Sequence, residues 1–322
     1  MHKAIIEMSI LRTIYNIHHS IFFRPEKFYC QVDLGGEMYF KIWERPGKWM
    51  NEEKLNQLIK DIHEVTASGQ GEKDIPNYGV LKGEKEDFKS RVITIGYDKK
   101  TGKPIGFAAQ IFLDVPLGLN VIDVLHLGLV YVAKEYQKKS VLGLLYILPN
   151  ILLLLKRGFR PLWVSNVSQV PSIIGVVADY YDGVYPDPIH DTKQTLMQRS
   201  LSVGIMKSHR NAFGTGEEAT YDAEKQIIYT SYTGGSDNLK KSFEECPKYR
   251  DEKVNDFCKK NLNYNRGDDF LQIGTLSGKL IHNFFSKRVS GVSRVQWFFY
   301  LVIAGIFITT LPILKWLTRK ID

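Results

Sequence analysis

Between Val121 and Leu145 the chain reads VIDVLHLGLVYVAKEYQKKSVLGLL, an apolar run that ends in Lys134, Gln137, Lys138 and Lys139 and continues beyond Ser140 and Gly143 into a leucine-rich stretch. The valines and leucines of Val124 to Val132 predict a buried strand, and the run from Leu144 to Leu155 predicts a helix. N–H groups at a helix start lack intrahelical partners and carry partial positive charge from the helix dipole. A basic strand-to-helix turn therefore suits an anion such as a pyrophosphate. Ser140 is placed to cap that helix. Asp123, His126 and Glu135 are the acid–base side chains on or beside the strand. Asp123 and His126 differ in parity, so on a regular strand they face opposite ways and only a bulge brings both to one pocket.

The elements that must position these residues are legible on either side. Lys27 to Val32 and Met38 to Trp43 read as strands joined around Asp33-Leu34-Gly35-Gly36. Asn51 to Ala67 reads as an amphipathic helix, capped by Asn51 and apolar at Leu55, Leu58, Ile59 and Ile62. Arg91 to Tyr97 and Pro104 to Leu113 form a hairpin about Asp98-Lys99-Lys100-Thr101-Gly102. After the leucine helix, which Pro149 should kink or divide, come the strand Leu162 to Asn166 and the helix Pro171 to Tyr181. Farther on, Gln226 to Tyr232 and Phe270 to Leu276 read as strands, and Lys240 to Leu262 includes a charged helix.

The junction resembles the cofactor loop of the GNAT superfamily of acyl-CoA N-acyltransferases, which reads Gln/Arg-x-x-Gly-x-Gly/Ala after a strand. Gln137-Lys138-Lys139-Ser140-Val141-Leu142 matches it at Gln137, departs at both glycine positions, and has Gly143 one place late. The resemblance covers roughly residues 27 to 190. It implies an α/β fold with a mixed, mainly antiparallel sheet flanked by helices. It also implies an acyl-CoA or acyl carrier protein thioester as co-substrate, with no permanently bound cofactor. That donor would lie along Val130 and Val132 of the central strand and over Gln137, Lys138, Lys139, Ser140, Val141, Leu142 and Gly143, with Asn166 on the next strand as a further polar contact. An amine of pKa near 10.4 must lose a proton before it attacks a thioester. His126 is the preferred base, because an ordinary imidazole titrates near neutral pH, and a structural histidine is the alternative. Asp123 is the second candidate. Tyr181, or its neighbour Tyr180, matches the place of a tyrosine acid for the departing thiolate, with plain packing as the alternative. Arg266-Gly267-Asp268-Asp269 is either a polar acceptor contact or a solvated turn.

The 322 residues are 44% hydrophobic and 24% charged, enough apolar sequence for one large or two small domains. The formal charge of +8 is concentrated at one end. From Lys279 onward seven basic residues and one acid leave +6 there and only +2 on residues 1–278, which argues against a nucleic-acid partner. The same tail holds Trp297 to Leu317, 21 residues whose only charge is Lys315. As a helix this segment would extend roughly 31 Å, close to the hydrocarbon thickness of a bilayer, with Trp297 and Trp316 at the interfaces. Cys30, Cys246 and Cys258 are too widely spaced for a zinc site, their odd number speaks against a disulfide framework, and no metal is expected. Met1 to Phe23 has apolar residues at helical spacing broken by Glu7, Arg12, His18 and His19, so it reads as an amphipathic helix.

These readings divide the chain into an N-terminal helix (1–26), an acyltransferase-like core (27–190), an extension completing the sheet and acceptor site (191–286) and a basic segment with a transmembrane anchor (287–322). They point to a membrane-anchored N-acyltransferase with its catalytic domain in the cytosol. Its acceptor is an amine, with an amine-bearing lipid favoured because tethering concentrates such a substrate. A non-catalytic module of the same fold, tethered to a membrane or built into a membrane complex, is the alternative.

Overall fold

The computed structural model describes residues 17, 20, 25–33, 36–70, 75–137 and 141–288. Strands β1 (Tyr29–Asp33) and β2 (Met38–Glu44) lead to helix α1 (Glu52–Gln70), where the Asn51 side chain accepts from the Lys54 N–H at 3.2 Å, as its cap position predicts. Next come β3 (Arg91–Asp98), β4 (Pro104–Leu117) and β5 (Asn120–Val132), then α2 (Val141–Lys156), β6 (Leu162–Ser168), α3 (Pro171–Tyr180) and β7 (Asp182–Tyr185). The remaining elements are α4 (Leu196–His209), β8 (Thr220–Asp222), β9 (Ile227–Tyr229), α5 (Glu252–Asn261), β10 (Asp269–Leu276) and α6 (Gly278–Arg288).

Among the described residues the strands form one sheet in the order β1-β2-β3-β4-β5-β6-β10-β9-β8, with β7 also on β10. Every pairing is antiparallel except β5 with β6, which α2 joins as a crossover. The fold is therefore mixed α/β with a large, mainly antiparallel sheet flanked by helices. Residues beyond 190 extend the same sheet, since β10 lies directly against β6.

Side-chain alternation explains the layers. Odd positions of β4 (Phe107, Ala109, Leu113, Val115) pack in the clusters that contain Leu55, Leu58 and Ile62 of α1 and Leu201 and Ile205 of α4. Ala108 and Phe112 belong with Leu145, Ile147, Leu152 and Leu153 of α2. Each buried leucine of that helix contributes on the order of 2 kcal/mol, so the leucine run is core. Pro149 lies inside α2 without dividing it, correcting half of the expectation for that residue.

Helix α4 and strands β7 and β8 had no counterpart in the sequence reading. The exposed Leu196, Met197 and Val203 blur the apolar stripe of α4. Its start was nevertheless signalled: Thr195 and Gln198 form a reciprocal capping box. The proposed N-terminal helix falls almost wholly outside the described residues, and the proposed anchor Trp297–Leu317 entirely so. Among the described residues no helix is long and apolar enough to cross a membrane.

Candidate active site

The site begins with a break in β5. Ala109 of β4 pairs with Leu129 and Ile111 with His126, so Leu127 and Gly128 together oppose Gln110. This bulge requires glycine: Gly128 has φ +60°, and a Cβ there would lie 2.2 Å from the Ala109 carbonyl oxygen. The extra residue reverses the alternation. Before it Leu125 and Leu127 face α2; after it Val130 and Val132 do. Tyr146 of α2 fixes the bulge by donating its hydroxyl to the Gly128 carbonyl at 3.0 Å.

Past the bulge the sheet opens. Strand β5 pairs with β6 only at Val124–Trp163, Leu125–Val164 and His126–Ser165. Beyond that row β5 is held by β4, and β6 by β10, leaving a wedge through the sheet. A cleft of about 880 Å³ occupies it, with Gly128 to Val132 on one wall and Asn166 to Ser168 on the other. That volume suits a sizeable small-molecule ligand. Among the described residues no strand pairs with β5 along the wedge, so backbone groups of β5 face it.

The structure gathers some of the expected site residues and separates others. His126, Val130, Val132, Gln137, Leu142 and Asn166 line the cleft; Val141 and Gly143 belong to α2 but do not. Lys138, Lys139 and Ser140 lie outside the described residues. Gln137 donates to the Val132 carbonyl at 3.3 Å, and Asn166 donates to the Gln272 amide oxygen at 3.1 Å. Leu142 puts a half-buried side chain where the resembled loop has glycine or alanine. Asp123 is exposed, 3.7 Å from Arg157, and does not line the cleft. The bulge lies beyond both Asp123 and His126, so it cannot bring them to one face. Tyr181 is 3% exposed and accepts from the Asn150 amide inside the core, again away from the cleft. Burial raises its pKa.

His126 is 1% exposed, hydrogen-bonded through Nδ1 to Ser165 Oγ at 3.0 Å and packed on Phe213. Burial first, and the positive charge of Arg91 second, lower its pKa to about 3. It is a neutral imidazole at physiological pH, and protonating it costs roughly 5 kcal/mol more than protonating an ordinary histidine. Asp269, at the start of β10, is the reverse case. Its carboxylate lines the cleft, accepts from the Tyr232 hydroxyl at 3.1 Å and from Ser231, and is 3% exposed. Burial outweighs these hydrogen bonds and raises its pKa to about 7, the range in which a carboxylate exchanges protons near neutrality. Cys246 also lines the cleft, but burial pushes its thiol up to about 11. It is not a ready thiolate nucleophile.

No protein-family model and no curated protein matches this chain. Solved structures similar to it include a ribosomal-protein-S5-alanine acetyltransferase from Vibrio fischeri, at 11% identity and a TM-score of 0.29, covering 46% of this chain and 82% of that one. Another is an acetyltransferase of the GNAT family from Streptococcus pneumoniae, at 14% identity and a TM-score of 0.29, covering 48% and 93%. A second acetyltransferase from Vibrio fischeri is 15% identical with a TM-score of 0.24, covering 35% and 89%. Likenesses of this size decide neither mechanism nor substrate.

Two residues central to this geometry, Gly128 and Arg91, carry local signals that no site expectation used, and a third, Asp269, belongs to a segment with two readings. Gly128, an isolated glycine in an apolar strand, is the usual mark of a bulge. Arg91 is the one charge opening the apolar run RVITIGY. Asp269 stood inside the Arg266-Gly267-Asp268-Asp269 segment, whose two readings divide between neighbours. Arg266 holds Asp268 through two 2.7 Å bonds within the turn, while Asp269 enters the strand and the cleft.

Proposed function

We propose that this protein is an N-acyltransferase that moves an acyl group from a thioester donor to an amine bound in the wedge between β5 and β6. The observation that carries the reading is the wedge itself: a bulged strand that, among the described residues, pairs with β6 only as far as His126, is followed by helix α2, and is faced by a buried carboxylate that titrates near neutrality. In this reading the pantetheine-like arm of acyl-CoA or of an acyl carrier protein lies along Val130 and Val132. Its phosphates meet Gln137, Lys138, Lys139 and the N–H groups opening α2. Asp269 takes a proton from the acceptor ammonium. The free amine then attacks the thioester carbonyl, forming the C–N bond; collapse of the tetrahedral adduct breaks the C–S bond, and the second amine proton passes to the thiolate through water. His126, held neutral, orients the reacting groups by hydrogen bonding. Direct attack is favoured over a covalent enzyme intermediate because the Cys246 thiol is protonated.

Charge reversal at Lys138 and Lys139 tests the donor site. The double substitution to Glu is expected to weaken acyl-CoA binding at least tenfold by calorimetry while leaving the melting temperature within a few degrees. If the unmutated protein binds neither acyl-CoA nor an acyl carrier protein thioester, the non-catalytic module becomes the better account.

We further propose that Trp297–Leu317 anchors the chain with the catalytic domain in the cytosol, and that the acceptor is an amine-bearing lipid. Support comes from the length of that segment, its tryptophan ends and the +6 tail. Truncation after Ser286 is expected to preserve activity on a short soluble amine and to lose most of it on an amine lipid in vesicles. Equal activity of the truncated protein on both would sink the lipid assignment.

A further inference from the structure

The cleft contains a buried guanidinium whose donors are not fully met. Arg91 opens β3, is 4% exposed and lines the cleft. Among the described residues its Nε has no hydrogen-bond partner, and no carboxylate lies within salt-bridge distance of its guanidinium. Of the groups near it, Tyr78 is a phenol kept neutral by burial and Asp87 is a carboxylate that acts on it without forming an ion pair among the described residues, and the Asp87 Oδ2 atom has no hydrogen bond among them. A buried guanidinium costs several kcal/mol unless its fork of donors is met by an anion. The shape of that fork favours a carboxylate or a phosphate.

Position in the sheet shows which substrate would bring the anion. Arg91 pairs with Ile111 and Ile111 with His126, so the three share one cross-strand row and one face. At about 4.8 Å per strand the Arg91 and His126 backbones are about 10 Å apart. That face is the one covered by α1 and α4, because Ile111 packs with Leu201 and Ile205. Asp269 shares its parity along β10 with Leu271 and Ile273, which pack in the same cluster. Helix α2, whose first turn is the expected donor-phosphate site, covers the opposite face. Arg91 and Asp269 both act electrostatically on the Tyr78 hydroxyl, which also lines the cleft. The buried Arg91 guanidinium and a proton-accepting carboxylate thus share the side of the wedge away from the donor turn; Lys241 and Lys248 also line the cleft, but Arg91 is the cation in the row of His126.

We infer that the acceptor is an anionic amine, whose carboxylate or phosphate is bound by Arg91 while its amino group faces Asp269. The amine's role rests on the acyl-transfer reading; the anion's place at Arg91 does not. Two sources share this chemistry, a free amino acid or phosphoamine and the phosphoethanolamine headgroup of a lipid.

The test uses the full chain with O-phosphoethanolamine and 6-aminohexanoate as acceptors, against propylamine and hexylamine as neutral counterparts, with phosphatidylethanolamine vesicles as the lipid arm. The wild-type protein is expected to prefer the charged acceptors at least tenfold in kcat/KM. Arg91→Gln is expected to lower kcat/KM for charged acceptors about 30-fold, mostly through KM, and for neutral ones less than threefold, with partial recovery in Arg91→Lys. An Arg91-dependent rate confined to vesicles identifies the headgroup; one on the soluble compounds identifies the free amine. Calorimetry with O-phosphoethanolamine needs no turnover, so Arg91-dependent binding there upholds the anion site even where no thioester is used, which would fault only the acyl-transfer reading. The wild-type comparison also decides the matter if the Arg91 variants do not fold. Equal rates on charged and neutral amines overturn the inference. So does an Arg91→Gln effect seen only between succinyl-CoA and butyryl-CoA, which would give the anion to the donor.

Discussion

Replacing Asp269 by Asn is expected to lower kcat/KM by about 10²-fold or more and, at the same time, to make the protein more stable above neutral pH. Both effects come from one cause, the burial of a carboxylate whose pKa in the folded chain is about 7 against an ordinary 3.8. A folded-state pKa raised above the unfolded value means that the folded chain binds the proton more tightly. The associated stability is complete below pH 4 and is lost as the pH rises through about 7. Above that point the wild type carries a penalty on the order of 4 kcal/mol, which the uncharged amide of Asn avoids. Melting curves should therefore nearly coincide at pH 4 and separate at pH 8, with the variant the more stable. The rate of the wild type should follow a bell, rising through about pH 7 as Asp269 ionises and falling near the pKa of the acceptor ammonium. A proton accepted by His126, with its pKa near 3, would instead leave the rate flat from about pH 4 to 8. A flat profile, or an Asn variant with full activity, would remove Asp269 from the mechanism.

Gly128→Ala should be the most damaging small substitution in the sheet. The residue sits at φ +60°, where an L side chain costs roughly 1–2 kcal/mol, and its new Cβ would press on the Ala109 carbonyl, a backbone atom that cannot turn aside. With overpacking added, a loss of roughly 2–5 kcal/mol is expected in denaturant unfolding. Thioester binding should weaken as well, because the bulge sets where the free edge of β5 points. Gly102→Ala is the control: it has φ +69° but no atom within 4 Å of the added Cβ, so only the conformational cost of about 1 kcal/mol applies. If the two variants are equally stable and bind donor alike, the close approach at Gly128 does not shape the site.

Much of the frame was determined by the sequence alone. The hairpin about Asp98-Lys99-Lys100-Thr101-Gly102, the capped helix after Asn51, the central strand, the leucine helix and the strand at Trp163 are local statements of period, cap and turn, and each lies within a few residues of its expected place. Gln137 and Leu142, both of which line the cleft, were legible for the same reason, since they stand close together in one short motif. Tertiary structure decided everything that depends on which strands meet. Register put Leu127 and Gly128 opposite the single residue Gln110, a relation between two strands that periodicity within either cannot express. Pairing brought β10 against β6, carrying Asp269 into a cleft more than a hundred residues from His126 along the chain. Burial then reversed the acid–base expectations, because an ionisable group is tuned by the solvent it loses and the charges it meets: the histidine that suits neutral pH in water is driven down, and a carboxylate from an apparent surface turn is driven up to meet it.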